Sequence, residues 1–282
     1  MSSGWWVQSV YQNQGAAALF SWIFWVIFSI CLHELAHGVV AIWNGDRTPR
    51  ELGHMTLNPV VHMGLPSLLV FAVIGFAWGL MPTDPSRYRH YRQGVITVAA
   101  AGPAVNLILS GICIVGAGAW TWAMVGGAIQ VDDNTRLNVF TFFISGGWLN
   151  VLLAVFNMLP VPPLDGSRVL GGIFPSLERF FALPGVQTYG MIVVLIIFFT
   201  SLARPLISGV MTQTYRTVGM VAHALPTPEE LQYRGDALDS LYMVTSPHLQ
   251  ELLREHPEVL NDLDSVRWER SEAPSNAPSS NN

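Results

Sequence analysis

Residues 16–43 read AAALFSWIFWVIFSICLHELAHGVVAIW, an apolar run longer than the roughly 20 residues that cross a hydrocarbon core about 30 Å thick. Its only acidic or basic side chains are His33, Glu34 and His37. On a helix, His33 and His37 lie one turn apart on a shared face, so two imidazoles can converge on one metal ion. Glu34 points about a hundred degrees further round, toward a water on that metal. The pattern His33-Glu34-Leu35-Ala36-His37 is weak by itself, and its depth in an apolar span is what gives it weight. A charged side chain at the bilayer centre costs on the order of 2.5–3.5 kcal/mol on insertion scales, so such a set is functional by default and needs a partner. The sequence therefore predicts a metal site below the membrane surface.

The whole chain agrees with a membrane setting. Hydrophobic residues make up 51% and charged residues 12% of the chain, and the mean hydropathy is +0.39, too little charge to keep a soluble domain in solution. All 14 basic residues are arginine, and they form no patch interleaved with aromatics, which excludes nucleic-acid binding as a reading. Cys31 and Cys113 fall in apolar stretches, where a free thiol acts as a small hydrophobe, so they point to neither disulfide nor redox chemistry. The N-terminus lacks the charged and short apolar regions of a cleaved signal peptide, so the span with the motif is expected to stay in the mature protein.

Residues 1–15 carry Trp5, Trp6 and Tyr11 and are expected to lie at the headgroup interface. Further apolar stretches run from Met63 to Met81, from Gly94 to about Val125, from about Leu137 to Leu159, and from Val186 to Leu202. Arginines cluster at Arg47 and Arg50, at Arg87 to Arg92, and at Arg168 and Arg179, and the positive-inside rule puts all three clusters in the cytosol. A full crossing by Met63–Met81 would separate the first two clusters, so a re-entrant hairpin is preferred over an ordinary short transmembrane helix. The predicted class is an all-α integral membrane protein: a polytopic helical bundle with three core spans, a re-entrant segment and a short β-like connecting region. Residues 16–223 form the membrane-embedded domain, with 204–223 too polar to be read as a span. Residues 224–282 form a soluble tail, with eleven acidic residues against four arginines from Pro226 onward, amphipathic in pattern and disordered at its Ser/Asn/Pro-rich end.

Catalytic zinc usually takes three protein ligands and keeps one position open. Asn157-Met158-Leu159-Pro160-Val161-Pro162-Pro163-Leu164-Asp165-Gly166 ends the third core span, and Asp165 follows a proline-rich break on the same side as the histidines, which makes it the candidate third ligand. The HELAH motif, Ala101-Gly102-Pro103 with Asn106, and Asn157 with Pro160 followed by Leu164-Asp165-Gly166 together resemble the site-2 protease family of intramembrane zinc metalloproteases. The likeness covers roughly residues 18–203, and Gly53-His54-Met55-Thr56-Leu57-Asn58-Pro59 with His62 resembles the connecting region of its compact bacterial branch.

The resemblance implies one zinc ion held by His33, His37 and Asp165, Glu34 as general base, and Asn157 as a polar group near substrate. It also implies hydrolysis of peptide bonds in or near transmembrane segments of membrane-protein substrates, in a bacterial inner membrane, and the arginine placement sets the site toward the cytosol. Such a substrate helix has to unwind locally, in one version by pairing as a strand with backbone in the 48–60 region. Two positions depart from the branch: His54 stands where a basic residue is usual, and Trp78-Gly79-Leu80-Met81-Pro82 lacks a lysine. Between HELAH and LDG there is no insertion of the roughly 90 residues that a PDZ module would need. The alternatives are another membrane zinc endopeptidase with a distal glutamate ligand, or an inactive metalloprotease-like scaffold. His54 and His62 read as hydrogen-bonding loop groups, Asn106 as a helix-to-helix or substrate contact, and Gly102 and Gly111 as points of close helix approach. The acidic tail is a candidate surface for a partner.

Overall fold

A computed structural model describes residues 5–125, 129–200 and 203–225. The acidic tail expected over 224–282 lies almost wholly outside the described residues. The first helix, α1, runs Trp6–Trp43 and is broken at Gly15, where φ of +86° is a conformation glycine adopts without strain. Beyond that break, α1 is the span expected over 16–43. Helix α2 is a single turn, Thr48–Glu51, and α3 covers Pro59–Ile74 with a break at Gly64. Helices α4, Tyr91–Val125, and α5, Asp133–Asn157, complete a trio with α1 in which each helix packs on the other two. These three helices are each long and apolar enough to cross a membrane, and the protein is an all-α membrane protein.

Lipid tails are as apolar as leucine, so burial alone does little to hold such helices together, and close packing at small residues does more. Gly146 of α5 shows it: an added Cβ there would overlap the Trp25 ring of α1 and the Cys113 sulfur of α4. Trp25 also donates its indole N–H to the Phe142 carbonyl of α5 at 2.8 Å. Leu107, Ile108, Ile112 and Val115 of α4 face outward, toward the lipid.

The segment over Met63–Met81 doubles back. Its helical arm after Gly64 is about ten residues, roughly 15 Å or half a hydrocarbon core. Gly75 then caps the helix in the left-handed conformation, and the chain returns without helical structure. The Leu80 N–H donates to the His62 carbonyl at 2.8 Å, so the segment leaves where it entered. Inside the hairpin the buried Ser67 hydroxyl donates to the Trp78 carbonyl and accepts from the Trp78 N–H, which pins the returning arm to the helix. The outer end reaches Trp5 and Trp6, whose indoles both donate to the Ala72 carbonyl.

That geometry keeps the arginine clusters together. The Arg89 N–H donates to the Asn44 carbonyl, Asp84 N–H to the fully buried Asp46 carboxylate, and Arg87 pairs with Glu51 at 2.7 Å. At the start of α4, Tyr91 bonds Glu178, which brings in the region of Arg168 and Arg179. All three clusters share one end of the bundle.

Two expectations change in detail. The connecting region has no strand among the described residues: Asp46 accepts from the Thr48 N–H and Pro49 sits in the first turn, which favours the helical turn at 48–51. The stretch expected to span over 186–202 is a 16-residue helix, α8 (Pro184–Phe199), bent by 79° from α7 (Pro175–Phe181), and the pair reaches spanning length only if counted as one. Between them and α5 lies α6, Asp165–Ile173, packed on α4. Helix α9, Arg204–Ala224, packs on α4 and α5 through the buried Thr214, Val218 and Ala222.

Candidate metal centre

His33 and His37 project from α1 toward one face of α4. Val98, Gly102 and Asn106 are spaced by four residues along that face, one turn apiece, and each meets the histidines differently. The Val98 carbonyl lies 2.6 Å from His37 Nδ1, and Asn106 Oδ1 lies 2.6 Å from His33 Nδ1. Between them Gly102 leaves room for the rings: a Cβ there would stand 2.5 Å from both His33 Nε2 and His37 Nε2. A carbonyl can only accept, so His37 carries its proton on Nδ1 and turns the Nε2 lone pair inward.

Asp165 comes from the far side. The chain leaves α5, turns through the Leu159–Pro163 stretch and starts α6 at Asp165, and Gly166 lets it pass close beneath itself, since a Cβ at 166 would overlap the Met158 and Leu159 carbonyls. Ser167 closes the turn, donating to the Leu164 carbonyl from both its N–H and its hydroxyl. The result sets Asp165 Oδ2 3.0 Å from His33 Nε2 and 3.4 Å from His37 Nε2. Asp165 is buried with both imidazoles in reach of one carboxylate oxygen. An ionised carboxylate is the form that binds metal.

The three side chains are buried, and their donor atoms lie within 4.8 Å of one another. Zinc bonds of about 2.0–2.1 Å to nitrogen and oxygen make the edges of a tetrahedron roughly 3.3–3.4 Å long. The two donor separations of 3.0 and 3.4 Å bracket that edge, and two imidazoles with a carboxylate are a usual donor set for catalytic zinc. The residues fit the ion.

Glu34 is also buried, next along α1 from His33. The returning arm of the hairpin covers it: a Cβ on Gly79 would overlap the Glu34 carboxylate, and one on Gly38 would meet Met55 and Met81. Asn157, expected near substrate, donates instead to the Leu153 carbonyl of its own helix at 3.0 Å. His54 and His62 stand apart from the three donors; each bonds a nearby carbonyl, His54 that of Leu52 and His62 that of Thr56. Gly111 meets nothing within 4 Å, so of the two α4 glycines expected at points of close helix approach only Gly102 is in close contact, and what it admits is the imidazoles rather than a helix backbone. Residue types alone did not reveal Val98, Gly79 or Asn150, the last of which bonds Asn106. Asn150 carried the one available signal, an amide in an apolar span.

The family model described as Peptidase family M50 matches residues 21–202. YwhC of Bacillus subtilis, which carries the name of a zinc metalloprotease, is 34% identical over 181 residues, covering 63% of this chain and 79% of YwhC. Rip2 of Mycolicibacterium smegmatis, named likewise, is 31% identical over 182 residues, covering 62% of this chain and 64% of Rip2. The zinc metalloprotease MJ0392 of Methanocaldococcus jannaschii is 23% identical over 157 residues, with 54% of this chain and 35% of that protein covered. No solved structure matches the chain.

Proposed function

The chain belongs to peptidase family M50, the zinc metalloproteases of site-2 protease type, and from that premise we propose that it hydrolyses peptide bonds within the membrane. The observation that carries the proposal is the convergence of His33, His37 and Asp165 inside the bundle of spanning helices. His33 lies ten residues before the end of α1, roughly 15 Å along its axis, which supports cleavage below the lipid surface.

His33 and His37 would hold zinc through Nε2, and Asp165 through a carboxylate oxygen. When bound, zinc supplies Lewis acidity that activates water and polarises a peptide carbonyl. Glu34 accepts the proton that the attacking water gives up as its oxygen bonds to the carbonyl carbon. The same carboxyl then returns the proton to the departing amine as the C–N bond breaks, which leaves one new carboxyl end and one new amine end. Burial under the 78–81 arm keeps bulk water from Glu34 and makes the carboxylate available only to a reactant that enters the site.

Substrates on this reading are single membrane-spanning segments that can unwind locally, because an intact helix keeps its carbonyls in internal hydrogen bonds. On the same reading Asn157, half-buried at the end of α5, supplies them a polar contact. Residues 16–223 form the catalytic domain, the acidic tail beyond it is a site for a partner, and the arginine-bearing end faces the cytosol of a bacterial inner membrane.

The test is cleavage of candidate single-span substrates by the purified protein and by Glu34→Gln, with zinc measured in both. Glu34→Gln is expected to keep its zinc and lose about 10²–10⁴-fold in rate, the usual contribution of a general base. An unchanged rate would rule out Glu34 as the base.

A further inference from the structure

Asn106 of α4 and Asn150 of α5 are both completely buried among apolar helices. They form one directed chain. Asn150 Nδ2 donates to the Gly146 carbonyl one turn back on α5 at 2.9 Å, Asn106 Nδ2 donates to Asn150 Oδ1 at 2.8 Å, and Asn106 Oδ1 meets His33 Nδ1 at 2.6 Å.

His37 has its tautomer fixed by a backbone carbonyl, but His33 does not. Its Nδ1 meets a side-chain amide, which can turn over and offer either oxygen or nitrogen, and an imidazole nitrogen can serve as either donor or acceptor. The contact is compatible with both tautomers, and only one of them leaves Nε2 free for a metal. The far end of the chain decides. The Gly146 carbonyl only accepts, so Asn150 has to turn its NH2 toward Gly146 and its oxygen toward Asn106. Asn106 must then give its NH2 to Asn150 and its oxygen to His33. That forces the proton onto His33 Nδ1. In a buried apolar setting reversal sets oxygen against oxygen, Asn106 against Asn150 if it turns alone and Asn150 against the Gly146 carbonyl if both turn, with no water to relieve them.

We infer that Asn150 is a positioning residue that, acting through Asn106, sets the tautomer of His33 so that its Nε2 lone pair faces zinc. The inference rests on the reading of His33 as a zinc ligand. Asn150 touches neither donor atoms nor substrate, and its effect on the site passes through the direction of two amides. Groups that orient a ligating histidine typically change metal affinity about 10–100-fold when removed.

The experiment measures zinc affinity by chelator competition on the purified full chain in detergent, for wild type, Asn150→Leu, Asn150→Asp, the double variant Asn106→Asp with Asn150→Leu, and His33→Ala. Asn150→Leu frees the Asn106 amide to turn over and is expected to weaken zinc about 10–100-fold. Asn150→Asp, as a neutral acid, donates its O–H to Gly146 and accepts from Asn106, so it keeps wild-type affinity. The double variant recovers the affinity lost in Asn150→Leu, because a carboxylate at 106 has only oxygen to offer His33. A packing role for Asn150 predicts no such recovery. Wild-type affinity in Asn150→Leu, or a double variant no tighter than Asn150→Leu, overturns the inference. If Asn150→Leu does not fold, Asn150→Ala gives the same pair of comparisons with a smaller change in packing. His33→Ala separates the two readings: zinc held as in wild type defeats the ligand assignment, whereas zinc lost there and unaffected by Asn150→Leu defeats the relay alone.

Discussion

At the scale of single residues, two glycines separate metal binding from catalysis. Gly102→Ala puts a methyl carbon 2.5 Å from the donor nitrogens of both histidines, in a helix that otherwise accepts alanine well. The expected outcome is a protein of unchanged helical content, by circular dichroism, that has lost most of its zinc. Gly79→Ala instead crowds the Glu34 carboxylate. It is expected to keep its zinc and to lose at least about 10-fold in cleavage rate, part of the 10²–10⁴ that a general base supplies. Zinc lost in Gly79→Ala, or kept in Gly102→Ala, would contradict these placements. The three side chains that converge were legible in the sequence, because a charge inside an apolar span needs a reason and Asp165 follows a helix break on the right side. The groups that hold them were not. Gly102, Val98 and Asn150 act only once α4 lies against α1 and α5, and that register is a property of packed helices rather than of any one span.

At the scale of elements, the hairpin from Met63 to Met81 decides the topology. Its two ends meet at the His62–Leu80 hydrogen bond, so the exposed positions Leu52 and His90 belong on one side of the membrane, and Ile129, between α4 and α5, on the other. Single cysteines at these positions can be read without background, since Cys31 and Cys113 are buried. Cysteines at 52 and 90 are expected to react with an impermeant thiol reagent from the same side, and one at 129 from the opposite side. Labelling of 52 and 90 from opposite sides would mean a full crossing. Charge placement pointed to re-entry beforehand, whereas the 19 residues of Met63–Met81 are long enough for a short crossing. The helical turn at 48–51 and the 79° bend between α7 and α8 did not announce themselves, because both depend on local caps and prolines that a hydropathy pattern averages away.

At the scale of the molecule, three packed spans, a hairpin inserted to half depth and a returning turn after α5 bring α1 and α6 to one buried point. The two histidines share a helix, so their meeting is local. Asp165 is 132 residues from His33 in sequence, so its arrival depends on the whole bundle. Zinc content of the purified Asp165→Ala variant, beside wild type, measures that most directly. The account predicts one zinc per chain in wild type and, in a variant that remains folded, its loss or at least a large drop in affinity. A folded Asp165→Ala protein that holds zinc as tightly as wild type would contradict it.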